Sequence, residues 1–175
     1  MQKKHSGSLR VLWILLFGLI SGCWFNTHNQ PCNARNLAEL IRSGPHGRAS
    51  QKSANATWIS DPEALQHVFT AIDRHQLGSD GNMAPDIDWR HYGVLFIEMG
   101  QKPTGGYSID VTPSLSRVVD KQALIHISWN TPAEGVLLTQ AVTSSYMLLK
   151  ICRADITSIV VVDQDEQPLF EIPIE

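Results

Sequence analysis

The residues of this 175-residue chain that could do chemistry do not gather into a known catalytic motif. Gly100 and Gly105 have the separation of a phosphate-binding GxxxxGK[ST] loop, which needs its Lys to reach the phosphates and its hydroxyl to reach Mg²⁺. Here those two positions hold Gly106 and Tyr107, and no helical pattern follows, so phosphate cradling is disfavoured. Tyr146 and Lys150 show a YxxxK spacing, but no glycine fingerprint supports it and the segment alternates like a strand. Serines are plentiful, yet neither GxSxG nor SxxK occurs. His28, His46, His67, His75, His91 and His126 form no HExxH and no i, i+4 pair. Glu63 and His67 read as a solvated helical pair. Asp86, Asp88 and His91 are close in sequence, but a structural loop explains them better than a metal site. His126, alone in a strand, reads as a surface or internally satisfied side chain. Trp58, Trp89 and Trp129 read as core or sheet-face residues rather than a sugar platform. These patterns nominate no catalytic residue, no cofactor and no metal, and by themselves say little more about activity.

One stretch stands apart. Gly100, Lys102, Pro103, Thr104, Gly105, Gly106 and Tyr107 make a compact connection between two strand-like runs. Pro103 fixes φ, and Gly105 and Gly106 permit positive φ. A tight turn explains the glycines and the proline but does not require Lys102, Thr104 or Tyr107. These residues form the candidate partner-binding loop.

The N-terminus carries a different chemistry. Lys3, Lys4 and Arg10 precede an apolar run, Val11 to Gly22, that is shorter than the roughly 20 residues a spanning helix needs. The run ends Leu19-Ile20-Ser21-Gly22-Cys23, which resembles a bacterial lipobox. Residues 1–22 are thus expected to be a lipoprotein signal peptide, with the Cys23 thiol taking diacylglycerol and palmitate-type acyl chains. Several chains give stable attachment, because each buried CH₂ contributes about 0.8 kcal/mol. Trp24, in place of an Asp after the cysteine, implies the outer membrane of the cell envelope by resemblance to Gram-negative lipoproteins. Losing the signal peptide removes three cations and no acids, so the formal charge moves from −3 to −6. That leaves no basic excess for nucleic acid. Residues 23–36, rich in Asn, read as a polar tether. Three cysteines are too few for a disulfide scaffold, but an exported location permits a bridge between Cys32 and Cys152.

The elements that would position these residues follow from periodicity. Residues 37–175 read as a single globular domain. Leu37, Leu40 and Ile41 could start a short helix, broken at Ser43–Gly47, and Thr57–Ile59 could form a short strand. The clearest helix spans 61–77. Asp61 caps it, Pro62 starts it, and Leu65, Val68, Phe69 and Ile72 make one apolar stripe. Gly78 is placed to stop it. Val94–Met99 reads as a buried central strand, Tyr107–Val111 as a half-buried one, and Arg117–Val119 with Ala123–Trp129 as a hairpin. Tyr146–Ile151, Ile156–Val162 and Pro168–Ile174 complete the strands. One helix among many short strands predicts an α+β domain of mainly antiparallel sheet.

From about residue 90 to 151 the chain resembles the PrcB family, named for a protease complex subunit. The resemblance rests on Val94-Leu95-Phe96-Ile97, then Gly100-Gln101-Lys102-Pro103-Thr104-Gly105-Gly106-Tyr107, Thr131-Pro132, Gly135, Gln140 and the Tyr146 segment. Ser145 departs from the proline common at that position. The resemblance implies a non-catalytic, membrane-anchored accessory protein whose partner is another protein, a surface or periplasmic protease among the candidates. Pro103-Thr104-Gly105-Gly106-Tyr107 also looks like the NPTTGY loop of chagasin-type protease inhibitors, although their later GxGG and RPW-type elements are missing. Inhibition through the 100–107 loop is one alternative, and a ligand-binding envelope lipoprotein is another.

Overall fold

Val94–Ile97 and Met147–Leu149 are apolar at every position, so each strand must be covered on both faces. The computed structural model describes residues 37–48, 51–74, 83–153 and 155–174. In it these two runs lie side by side as β3 (Tyr92–Glu98) and β7 (Tyr146–Cys152), antiparallel, with Leu95 opposite Leu149. Outside them lie β1 (Ala38–Gly44), against β7, and β2 (Asn55–Ile59), against β3. The four-stranded sheet has the order β1-β7-β3-β2 and is antiparallel throughout.

Each face of this sheet meets a different cover. On one face Val94, Phe96, Tyr146 and Leu148 pack against Leu65, Phe69 and Ile72 of the helix α1 (Pro62–Asp73). The cap is the expected one: Asp61 Oδ1 accepts from Ala64 N at 2.8 Å, and Pro62 opens the first turn. The helix ends at Asp73; residues 75–77 and Gly78 lie outside the described residues. On the other face Leu95, Ile97, Met147, Leu149 and Ile151 meet a second sheet through Ala123, Ile125, Ile127, Ile159 and Val161.

That second sheet has five strands. β6 (Gln122–Asn130) is flanked on one side by β4 (Ser108–Val111) and β5 (Arg117–Val119). On its other side runs β8 (Ser158–Val162), followed by β9 (Pro168–Pro173). The β5–β6 hairpin turns at Asp120 and Lys121, both at positive φ (49° and 64°), as a two-residue turn matched to strand twist requires. The α+β, mainly antiparallel class holds. One pairing departs from it: β6 and β8 are parallel, because the chain crosses to β7 in the other sheet between them.

The opening of the domain is corrected. Leu37–Ile41 does not start a helix; it begins the edge strand β1. Its backbone pairs with β7, with a register shift between Leu40 and Arg42, and at this sheet edge Leu40 is 47% exposed. The bulge breaks the alternation that would have marked a strand.

Candidate interaction site

The antiparallel register gives the central sheet two distinct ends. At one end, Tyr92 lies opposite Cys152, and Cys152 N donates to Leu37 O at 3.0 Å. The chain thus enters the described body here. At the other end Gly44 and Glu98 both flank Tyr146. The first is called the tether end below, and the second the loop end. Every residue of the candidate 100–107 loop leaves from the loop end.

Beneath that end lies a buried charge. Glu98 is fully buried on the helix side of β3. Arg48 answers it with Nε to Oε2 at 2.9 Å, a further contact from Nη2, and its own backbone N to Oε1 at 3.2 Å. The Arg48 guanidinium also lies over the Phe96 ring at 5.0 Å. A buried carboxylate is tolerable only with such pairing, so the pair fixes the 45–48 segment over the sheet end.

The 100–107 loop is bound along its length to the segment leading into β7. Met99 N donates to Ser145 O at 2.9 Å. Lys102 and Thr143 exchange both backbone bonds, at 2.8 and 3.0 Å. Gly105 N donates to Thr139 O at 3.0 Å, and Thr143 Oγ1 to Thr104 O at 2.8 Å. Ser145 Oγ donates to Tyr107 O at 2.7 Å, so the hydroxyl at the departure from proline secures the end of the loop. Gly100 has φ +71°, and a Cβ there would stand 2.6 Å from the Ser53 carbonyl carbon. Gly106 has φ +88°, with Leu138 and Pro132 packed where its Cβ would be. These two glycines are structural. Lys102 lies half-buried with Nζ 5.6 Å from the centre of the Tyr107 ring. Among the described residues it has no carboxylate within ion-pair distance.

The segment that holds this loop was not singled out from sequence. Residues 131–142 run from β6 towards β7 without regular structure. Leu138 turns in onto Gly106, whereas Leu137 is fully exposed and Val136 and Val142 are 56% and 63% exposed. Val136, Leu137 and Leu138 are three consecutive aliphatics between polar flanks, Glu134 and Thr139-Gln140.

The other sequence candidates are separate from this end. Asp88, near the tether end, receives Arg90 Nε at 3.1 Å and lies 2.9 Å from His91 Nδ1. The Arg90 hydrogen bond first, then that of His91, holds the Asp88 carboxyl well below the usual carboxylate range. Among the described residues no group of three His, Cys, Asp or Glu is placed to hold a metal ion. His126 is buried, and its Nε2 must accept from Arg117 Nη1 at 3.2 Å, since a guanidinium only donates. Tyr146 is buried in the core, while Lys150 pairs with Glu39 at 2.5 Å. Trp129 packs on Phe170 with ring centres 6.0 Å apart. A recess of about 170 Å³ lies between Ser43–Pro45 and Tyr107–Asp110, smaller than the few hundred Å³ usual for small-molecule sites. Cys152 is disulfide-bonded, and both other cysteines, Cys23 and Cys32, lie outside the described residues, as do the signal peptide and tether. Among the described residues no helix is long and apolar enough to cross a membrane.

Residues 94–151 match the family model described as PrcB C-terminal. No curated protein and no solved structure matches the chain.

Proposed function

We propose, from the PrcB-family assignment of residues 94–151, that this chain is a non-catalytic envelope subunit that associates with a protease. The observation that carries the reading is what the matched residues build: both central strands, the 100–107 loop and the 131–143 segment bound to it. Side chains capable of chemistry are committed to structure within the same body. Glu98 holds Arg48, Asp88 holds Arg90, and His126 accepts from Arg117. A loop end fixed by so many backbone hydrogen bonds loses little entropy on docking. A subunit bound only to the folded protease stabilises it by mass action.

The anchor in this reading is acylated Cys23, on the outer membrane. With that thiol consumed, Cys32 is the partner left for Cys152. The bridge would leave nine residues of tether beyond Cys23, spanning at most roughly 30 Å.

The test is to crosslink the full-length, lipidated protein in its native envelope and purify it in detergent. A protease is expected among the covalent adducts, and a palmitate label on Cys23. Adducts that contain no protease would refute the association. Hydrolysis of a peptide or ester substrate by the purified protein would refute the non-enzyme reading.

A further inference from the structure

We infer that the partner docks on the 131–143 segment, with Leu137 as the central anchor and Lys102 at its edge, and that it offers an aliphatic pocket bordered by a carboxylate. This rests on the protein-binding reading above but names a surface and a chemistry that it does not.

Three observations carry the inference. The first is exposure without mobility. Leu137 is fully exposed and Val136 and Val142 more than half exposed, yet the segment is fixed at Thr139 and Thr143 by backbone bonds to Gly105 and Lys102. Exposed aliphatics recurring within one short, hydrogen-bonded segment suit a contact surface, whereas scattered single ones are ordinary. The second is charge. Lys102 pairs with Thr143, next to Val142, and has no carboxylate partner among the described residues, only the Tyr107 ring beneath its ammonium. A carboxylate on the partner would complete it at the rim, where it sets orientation and encounter rate. The third is position. The chain enters the body at Leu37, beside Cys152, while these residues lie at the opposite end of β7. Six residue steps along β7 at about 3.4 Å separate the two ends by about 20 Å. The surface is thus remote from the point where the chain enters the body, and the Lys102 ammonium, left without a carboxylate among the described residues, favours an acidic protein partner.

The experiment uses full-length lipidated protein in its native envelope, with a photoreactive residue at position 137 and, as a control, at exposed Leu115 beyond β4. The expected result is a heteromeric adduct from position 137 and none from 115, mapping to an apolar pocket that contains Asp or Glu. Leu137→Asp and Lys102→Glu should each lower recovery of that same protein at least tenfold, with unfolding midpoints unchanged. Leu137 is fully exposed and Lys102 is half-buried at the edge of the loop, outside both core clusters, so neither variant needs the core to reorganise. A lipid adduct, or an adduct of two copies of this chain, overturns the proposal. So does undiminished recovery with both variants. A heteromeric adduct from 115 but not 137 overturns this surface and leaves protein binding standing. The absence of any protein adduct from either position, or from general crosslinking, overturns both.

Discussion

The two ends of the central sheet differ in what fixes them. At the tether end, covalent and main-chain links dominate: Cys152 is disulfide-bonded, and Arg153 N donates to His91 O at 2.9 Å. At the loop end, a buried ion pair and a ladder of backbone bonds carry a surface left apolar, with Leu137 fully in solvent. One end ties the body to what precedes it, while the other is stiffened from within and left open outward. Rigidity therefore does not mark the quiet end. A loop hydrogen-bonded along its length supports exposed aliphatics, an arrangement that suits docking by preformed shape.

The largest expected effect breaks the tether end. Reducing the Cys152 disulfide opens a loop of more than 100 residues with either other cysteine, and chain entropy places the loss at about 5 kcal/mol. Guanidinium unfolding with and without reductant measures it. Peptide mass mapping of the oxidised protein identifies the partner, and Cys23 instead of Cys32 would contradict the anchor. Next in size, Arg48→Met strands the buried Glu98 carboxylate, and urea unfolding should show a loss of about 3 kcal/mol. A loss below the size of a surface substitution would mean that the loop end does not depend on this pair. Ser145→Ala removes the hydroxyl that holds the Tyr107 carbonyl and should cost about 1 kcal/mol in the same assay.

The smallest effect lies back at the tether end. Asp88 titrates below its ordinary value of 3.8 in the folded protein. Its contribution is full above that value and is lost as pH falls towards the folded pKa, where the unfolded chain takes up a proton first. Asp88→Asn should therefore lower stability by a small constant amount above pH 3.8, flatten the acid limb below it, and converge with the parent protein at the lowest pH. Solvent screening keeps this effect modest. Unfolding midpoints at a series of pH values test it, and an unchanged acid limb would contradict it.

Much of the fold was legible because its signals are local. The unbroken apolar runs marked β3 and β7, Asp61 and Pro62 marked the helix start, and Asp120-Lys121-Gln122 marked a hairpin, whose last residue proves to belong to β6. What was not legible depends on residues far apart in sequence. Arg48 and Glu98 are 50 positions apart, and neither advertises the other. β1 is an edge strand with a bulge, so its pattern is set by β7, about 110 residues later. The 100–107 loop stands out by its unusual composition, but that composition also serves the backbone. Gly100 and Gly106 are needed for φ, and Thr104 and Gly105 bond inward. The exposed aliphatics of 136–142 carry no signal in sequence that separates them from buried ones, because apolar residues are usually buried.

The parallel pairing of β6 with β8 bears on which stretch of chain can fold alone. The family match ends at residue 151, before β8 and β9 begin. A chain cut there would leave one edge of β6 bare and strip Ile159 and Val161 from the shared core. It would also present a long apolar edge to other molecules, the usual route to aggregation. A cut at residue 94 would likewise remove β1, β2 and the helix that cover the other half of β3 and β7. The stretch that carries the family's mark is thus the middle of a cooperative unit, and engineered fragments should run from β1 through β9.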